Sequence, residues 1–450
     1  MSNQTQDTIV AIATPPGQGA VGIVRLSGPR AIAIARPYVL LKHPLDQLES
    51  YQLSYARLRL DDKLSDEALV FVARAPKTYT GEDTVEFQCH GSPALLSRLV
   101  RSLESAGARA AGPGEFTKRA FLNGKIDLTQ AEAVADLISA TTDVSLASAY
   151  FQLRGGLRSR FEDLSKELIQ TKTLLEANLD FSEDVRVDPA AVSDQLQRVA
   201  DVLGDQIASY DGGKLIRRGA IVSLCGIPNV GKSSLMNALL GQERAIVTDV
   251  PGTTRDTIEE SIEIGGIQIV LTDTAGIRET TDPVELEGTR RSAEALASAD
   301  VVILVCDGHD PPNPEYRKLI AQHQPAIVVL NKSDLGINTE WVEQGDAADR
   351  VRLSAHTGEG LDALRTALHK HLIEAGAPNT ESVTNERHWI ALKQAREALT
   401  KASAAISQGA PGEIVSFEID ESLGALSSII GETTAQDILD QIFSQFCIGK

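Results

Sequence analysis

Hydrophobic positions change their rhythm three times along the chain. Up to about residue 114, short β-rich runs alternate with turns. The runs 8–13, 21–26 and 68–73 read as strands, bounded by Pro-Pro-Gly, Ser-Gly-Pro and Ala-Pro punctuation. A helical repeat covers 93–106, so residues 1–120 predict an α+β domain. From 128 to about 207 the spacing turns helical. Leu137, Ile138, Leu146, Leu153, Leu157, Phe161, Leu164, Leu168, Leu174, Leu175 and Leu179 recur mostly three or four apart, which places them on one helical face, with a break predicted at 183–189. From 220 to about 374, apolar runs of strand length at 221–225, 267–273, 301–306, 326–330 and 351–354 alternate with helical patterns. That alternation predicts a parallel sheet with helices on both faces. Helical repeats resume at 386–406 and 416–446, joined by a turn at 409–412. The economical arrangement is a helical domain, 121–218 and 375–450, interrupted by an inserted α/β domain at 219–374. Neither helical piece then has to bury its apolar face alone.

Charge and cysteine usage narrow the function. The 43 Lys and Arg stand against 62 Asp and Glu, a net charge of −19, which argues against a general nucleic-acid coat protein relying on many basic phosphate contacts. Aromatic residues are only 4%, so base-stacking platforms do not dominate. Cys89, Cys225, Cys306 and Cys447 lie too far apart for a zinc motif or a small disulfide framework, and a reducing, cytoplasmic setting is expected. The start of the chain is polar, without the pattern of an export leader, and the apolar runs are too short to span a bilayer.

Three ordered motifs carry the chemistry. Gly226-Ile227-Pro228-Asn229-Val230-Gly231-Lys232-Ser233 matches a phosphate-binding loop, between a strand and the helical run 234–240 that the motif requires. Its glycines let backbone N–H groups curl around phosphates, and the helix N-terminus adds a favourable field. Lys232 supplies charge toward the β- and γ-phosphates, Ser233 a hydroxyl for Mg²⁺, and Ser234 completes the contact set. Asp273, Thr274, Ala275 and Gly276 end a strand, where Asp273 reaches the Mg²⁺ shell through water and the Gly276 N–H meets the γ-phosphate. Asn331, Lys332 and Asp334 end a later strand. The Asp334 carboxylate accepts two hydrogen bonds only from a base edge with two donors, which selects guanine over adenine. Ser354 and Ala355 follow the last strand, where a loop touches the base oxygen. Together these motifs predict a GTP-binding domain. Between the first two lies Thr248, Asp249, Val250, Pro251, Gly252, Thr253 and Thr254, a threonine-bearing first switch loop. A Ras-type enzyme carries Gln after the Asp-Thr-Ala-Gly string to orient the attacking water, but this chain has Ile277. Glu285 and Glu287 could take that task, or could simply begin a helix at 285–296, where acids suit the dipole.

The inserted GTP-binding unit is accompanied by the stretch from Thr14 to Arg25, the string Gly-Glu-Phe-Thr-Lys-Arg-Ala-Phe-Leu-Asn-Gly-Lys at 114–125, and the ending Phe446-Cys447-Ile448-Gly449-Lys450. Together they resemble the MnmE (TrmE) family of tRNA uridine-modification GTPases over nearly the whole chain. The resemblance implies an N-terminal folate-binding and dimerisation domain, and a helical domain interrupted by a Ras-like P-loop GTPase domain. It implies a homodimer that works with an FAD-containing partner, MnmG/GidA, in a heterotetramer. That assembly installs aminomethyl or carboxymethylaminomethyl groups at C5 of wobble uridine 34 in certain tRNAs. A 5,10-methylene- or 5-formyl-tetrahydrofolate is the implied one-carbon source, and GTP hydrolysis is activated by K⁺ and by pairing of the GTPase domains. By position, the resemblance assigns K⁺ to Asn229, Thr248, Val250 and Thr253, and Mg²⁺ to Ser233 and Thr254. It assigns water positioning to Glu285, folate binding to Arg25, Glu82, Lys125 and Lys450, and an essential role to Cys447. A cation beside the phosphates would stabilise developing charge as an arginine finger does.

Other features read as structure. Cys225 and Cys306 sit in apolar strands, and Cys89 beside His90 reads as a strand residue. Gly17 to Gly22 matches a dinucleotide fingerprint formally, but β-rich residues follow where a helix is required, so FAD is expected on the partner. Arg154, Arg158, Arg160, Lys214, Arg217 and Arg218 are weak candidates for local tRNA contacts. Two rival readings are a ribosome-assembly GTPase switch without its own modification chemistry, and a folate-dependent redox enzyme acting on a small molecule.

Overall fold

In the computed structural model, alternating apolar positions build the strands read from the sequence and several more. It describes residues 7–60, 65–180, 188–242, 260–273, 296–341, 349–374 and 379–450. These fall into two units, Met1–Ala135 with Ser427–Lys450, and Asp136–Leu426.

The first unit holds strands β1 (Ile9–Ile12), β2 (Gly19–Ser27), β3 (Val39–Leu40), β4 (Ser54–Arg59), β5 (Ser65–Ala73), β6 (Thr84–Gly91) and β7 (Arg109–Ala110). They form one sheet in the order β3-β4-β5-β6-β2-β1-β7, antiparallel except for the β1–β7 pair. Period-two alternation buries Val24, Leu26, Ala56, Leu58, Val70, Val72, Val85 and Phe87 in a core shared with Leu96, Leu99 and Leu103 of the helix Pro93–Ser105. The short strands β3 and β7 and the Ala-and-Arg-bearing β4 give no β-rich signal, because their pairing comes from neighbours and not from propensity. A second core joins Leu128 and Ala131 to Leu439, Phe443 and Phe446. The predicted helical run 416–446 is two helices, Gly412–Ile430 and Gln436–Ser444. Gly431 breaks it at φ +95°, where a Cβ would lie 2.8 Å from Leu128 Cβ and from the Phe121 ring.

In the second unit, Leu157, Phe161, Leu164 and Leu168 line the buried side of the helix Gly156–Asp180, as their spacing predicts. Ile138, Leu146 and Leu174 are about half exposed. The predicted single face does not hold, because the pattern crosses three helices broken at the Thr142 cap and at Gly155 (φ +81°). The helices Pro189–Ala208 and Glu386–Ser407 pack along each other, next to a stack of Tyr210 on Trp389 with ring centroids 5.1 Å apart. Most of the predicted break at 183–189 lies outside the described residues, and the helix Pro189–Ala208 opens on an Asp188 cap.

The second sheet comprises β8 (Ala220–Cys225), β9 (Glu260–Ile264), β10 (Ile267–Asp273), β11 (Val301–Asp307), β12 (Ile327–Asn331) and β13 (Asp349–Arg352) in the order β13-β12-β11-β8-β10-β9. All neighbours are parallel except β9, which turns back on β10. The apolar runs do not predict that edge strand. Its signal is the Gly265-Gly266 pair at φ +62° and +84°, a two-residue hairpin turn between Ile264 and Ile267. Among the described residues, no helix is long and apolar enough to cross a membrane.

Candidate functional site

The loop after β8 runs into the helix Lys232–Gln242, at the carboxyl ends of the parallel strands where such sheets bind ligands. Three residues of the loop have positive φ: Gly226 (+149°), Asn229 (+67°) and Gly231 (+94°). Side chains would spoil the curl. A Cβ on Gly226 would lie 2.3 Å from the Val305 carbonyl oxygen, and one on Gly231 would lie 2.4 Å from Asn331 Nδ2. Asn tolerates the left-handed region better than most residues, which suits Asn229 to its place. Lys232 is buried, and its ammonium donates to Gly226 O at 2.9 Å and Ile227 O at 3.3 Å, so its charge is held inside the loop. Ser233 and Ser234 are exposed on the first turn of the helix. Backbone N–H groups curled at a helix N-terminus in this way suit a polyphosphate.

Asn331 ends β12 and joins the loop to the base-side residues. It is 2% exposed, its Nδ2 donates to Val230 O at 2.8 Å, and its Oδ1 accepts from Ala355 N at 3.0 Å. Ser354 is fully buried and pairs with the carboxylate of exposed Asp334, a hydrogen bond that holds the Asp334 carboxyl below the usual carboxylate range. Lys332 stands at φ +62° and donates to Asp307 Oδ2 at 2.6 Å. Asp307 Oδ1 accepts from His309 N at 3.0 Å, which fixes the carboxylate in its own turn. The motifs do not single out Asp307, although an acid at the end of the buried run 301–306 is itself a signal. The structure therefore brings Val230, Gly231, Lys232, Asn331, Lys332, Asp334, Ser354 and Ala355 to one end of the sheet. Asp273 has its backbone opposite Leu224 in the β10–β8 register, beside the phosphate loop. Thr248 to Thr254, Thr274 to Gly276, Ile277, Glu285 and Glu287 lie outside the described residues, as does most of the predicted helix 285–296.

In the first unit, Arg25 donates to Glu86 Oε1 at 2.5 Å, lies over the Phe116 ring at 5.7 Å, and reaches the Gly449 carbonyl at 3.5 Å. The chain end therefore lies beside it. Ile448 bridges Pro113, Phe116 N donates to Lys450 O at 3.1 Å, and Gly114 N donates to Cys447 O at 3.3 Å. Gly449 needs its φ of +95°, since a Cβ there would sit 2.2 Å from Ile12 O. Cys447 itself is exposed. Glu82 accepts from Ser27 Oγ at 2.7 Å and from Arg119 Nη1 at 3.1 Å on both oxygens. Lys125 donates to Pro76 O at 2.8 Å and runs past Gly81. The segment 76–82 thus gathers Lys125 and Glu82, and the tail gathers Arg25 and Lys450.

The remaining cysteines are core residues. Burial pushes the Cys89 thiol up to about 11 and the Cys225 thiol up to about 12, and raises that of Cys306. Of the basic residues weighed for tRNA, Arg158 pairs with Glu162, Arg160 with Glu381, Arg217 with Asp136 and Arg218 with Asp300. Arg154 lies over the Tyr150 ring. The stretch 17–22 runs into strand β2 and not into the helix that a dinucleotide site requires.

The chain is similar to known proteins over nearly its whole length. The family model for the MnmE helical domain matches residues 128–447, and that for the GTP-binding protein TrmE N-terminus matches 8–125. A tRNA modification GTPase MnmE of Syntrophus aciditrophicus is 43% identical over 99% of this chain and 100% of its own length. One from Geobacter sulfurreducens is 42% identical over 99% of each. Among solved structures, the G domain of the T. maritima FeoB iron transporter aligns at 28% identity and a TM-score of 0.28, over 34% of this chain and 98% of that one. With family models and full-length relatives pointing the same way as the phosphate loop and the base-side motif, the chain belongs to the MnmE family of tRNA modification GTPases.

Proposed function

We propose that this chain hydrolyses GTP at the loop 226–233 to drive modification of C5 of wobble uridine 34 in certain tRNAs. It works in the cytoplasm as a homodimer, in a heterotetramer with the FAD-containing partner MnmG/GidA. It uses a reduced folate, 5,10-methylene- or 5-formyl-tetrahydrofolate, as the one-carbon source. Mg²⁺ would be held by Ser233 and Thr254, and K⁺ by Asn229, Thr248, Val250 and Thr253. When bound, these cations offset charge that builds on the phosphate oxygens. Asn229, the member of the K⁺ set within the described residues, is exposed and stands at φ +67°. Glu285 positions water, since Ile277 has no polar side chain for the task. Arg25, Lys125 and Lys450 are cations suited to a folate's glutamate tail, and Glu82 is an acceptor suited to the pterin's two-donor edge.

The observation that carries the modification reading is the docking of the 447–450 tail beside Arg25. Cys447 is exposed, and its backbone carbonyl accepts from Gly114 N, two residues before the Gly449 carbonyl that Arg25 reaches. A thiolate there could add to carbon or exchange with a disulfide. Cys447→Ser should abolish the tRNA modification, read by nucleoside analysis of tRNA, while GTP hydrolysis continues. Full modification by the variant would overturn this reading in favour of a GTPase that acts only as a switch.

A further inference from the structure

Arg119 carries no distinguishing signal within the 114–125 string, yet folding encloses it almost completely. Its side chain is 5% exposed. Nη2 donates to Asp7 Oδ1 at 2.6 Å and Glu115 Oε1 at 3.0 Å, and Nη1 donates to Asp7 O at 3.0 Å and to both oxygens of Glu82. Arg109 closes the circuit by pairing with Asp7 and, through two nitrogens, with Glu115. Asp7, Arg109, Glu115 and Arg119 thus form a ring of two cations and two anions that is neutral by itself.

Glu82 is the fifth member, and its charge is not balanced inside the ring. Its side chain is 11% exposed. Ser27 Oγ, itself paired with Thr80 Oγ1 at 2.7 Å, takes one further contact. A carboxylate offers about four lone-pair positions; Arg119 Nη1, shared by both oxygens, and Ser27 Oγ, on Oε2, leave about one of them, on Oε1. A largely buried, excess carboxylate is costly unless donors complete it.

We propose that Arg119 is the positioning residue of the folate site. From inside the protein it holds the Glu82 carboxylate so that the remaining acceptor position, on Oε1, faces an N–H donor of a pterin edge. The proposal rests on the folate reading above. The ring of Asp7, Arg109 and Glu115 keeps Arg119 from turning, and Ser27 sets the rotation of the carboxylate. Lysine at 119 would retain the charge but, as a point donor, could not span Asp7, Glu115 and Glu82 at once.

The test uses the full-length protein and two probes: 5-formyltetrahydrofolate, and p-aminobenzoylglutamate, which lacks the pterin. Arg119→Lys should weaken 5-formyltetrahydrofolate binding by roughly tenfold or more, the size of a lost charge-assisted hydrogen bond, and leave the fragment's affinity unchanged. Added to Glu82→Gln, it should weaken binding no further, because the two residues act as one. Binding of the folate within about twofold of wild type, or equal loss of both probes, would overturn the assignment. If Arg119→Lys fails to fold by circular dichroism, Ser27→Ala is judged by the same two probes. A wild-type protein that binds neither probe would instead remove the folate reading itself, a result distinct from a variant that binds normally.

Discussion

Asn331 and Asp334 stand three residues apart and do different physical work. Asn331 is buried and bonds backbone on both sides of the site, so it sets the distance between the phosphate loop and the base-side loop. Asp334 is exposed, and its carboxylate is steadied by Ser354. Asp334→Asn places a donor where the base presents one, so preference should move from guanine to xanthine nucleotides. Competition binding of GDP against xanthosine diphosphate measures the change, and retained GDP preference would refute the assignment. The motif was legible because these roles follow from residue type and from position at a strand end. The Lys332–Asp307 pair was not, since its members come from neighbouring parallel strands and meet only across the sheet.

At the scale of elements, glycine context decides the sign of a substitution. In a helix interior, Gly→Ala ordinarily stabilises by about 1 kcal/mol. Gly204 lies within Pro189–Ala208, and a Cβ there would meet only the Arg396 guanidinium, at 3.4–3.5 Å. Gly204→Ala should follow that rule, because the flexible arginine can give way. Gly213, within Tyr210–Arg218, faces the Val383 carbonyl, and a Cβ would lie 2.1 Å from its oxygen. Gly213→Ala should therefore destabilise, by about 1–3 kcal/mol, through forced backbone displacement. Urea midpoints of the two variants should move in opposite directions.

The ion ring makes a second prediction at this scale. Burial raises the carboxyls of Asp7 and Glu115, but the Arg109 and Arg119 guanidiniums outweigh it, and both end below their ordinary values. A depressed folded-state pKa contributes stability above the unfolded value, about 4, and that stability is lost as pH falls through the folded value. The calorimetric transition of the first unit should therefore weaken on acidification below about pH 4, and Glu115→Gln should shrink that dependence. An acid response unchanged in Glu115→Gln would show that the ring does not supply it.

Across the whole molecule, residues far apart in sequence meet. Arg25 and Gly449 are separated by 424 positions in sequence and meet at 3.5 Å. The phosphate loop and the base-side residues, by contrast, are tied together by Asn331 from within residues 220–355. Under the proposed K⁺ dependence, replacing K⁺ by Na⁺ at equal ionic strength should slow GTP turnover sharply, because the smaller ion does not satisfy the same oxygen set. Phosphate release assays give the comparison, and equal rates in the two salts would remove the cation mechanism.

Hydrophobic rhythm and motif spacing were enough to place the α/β insertion, the phosphate loop and the guanine motif. Those features depend on backbone periodicity and on residues adjacent in the chain, which are covalent properties. The resemblance to the MnmE family singled out Cys447 and the 114–125 string. Folding alone determined which charges met: Arg119 with Glu82, Asp7 and Glu115, Lys332 with Asp307, and the chain end with Arg25. Pairings of that kind are set by sheet order and by which faces are buried, and no local pattern encodes either one.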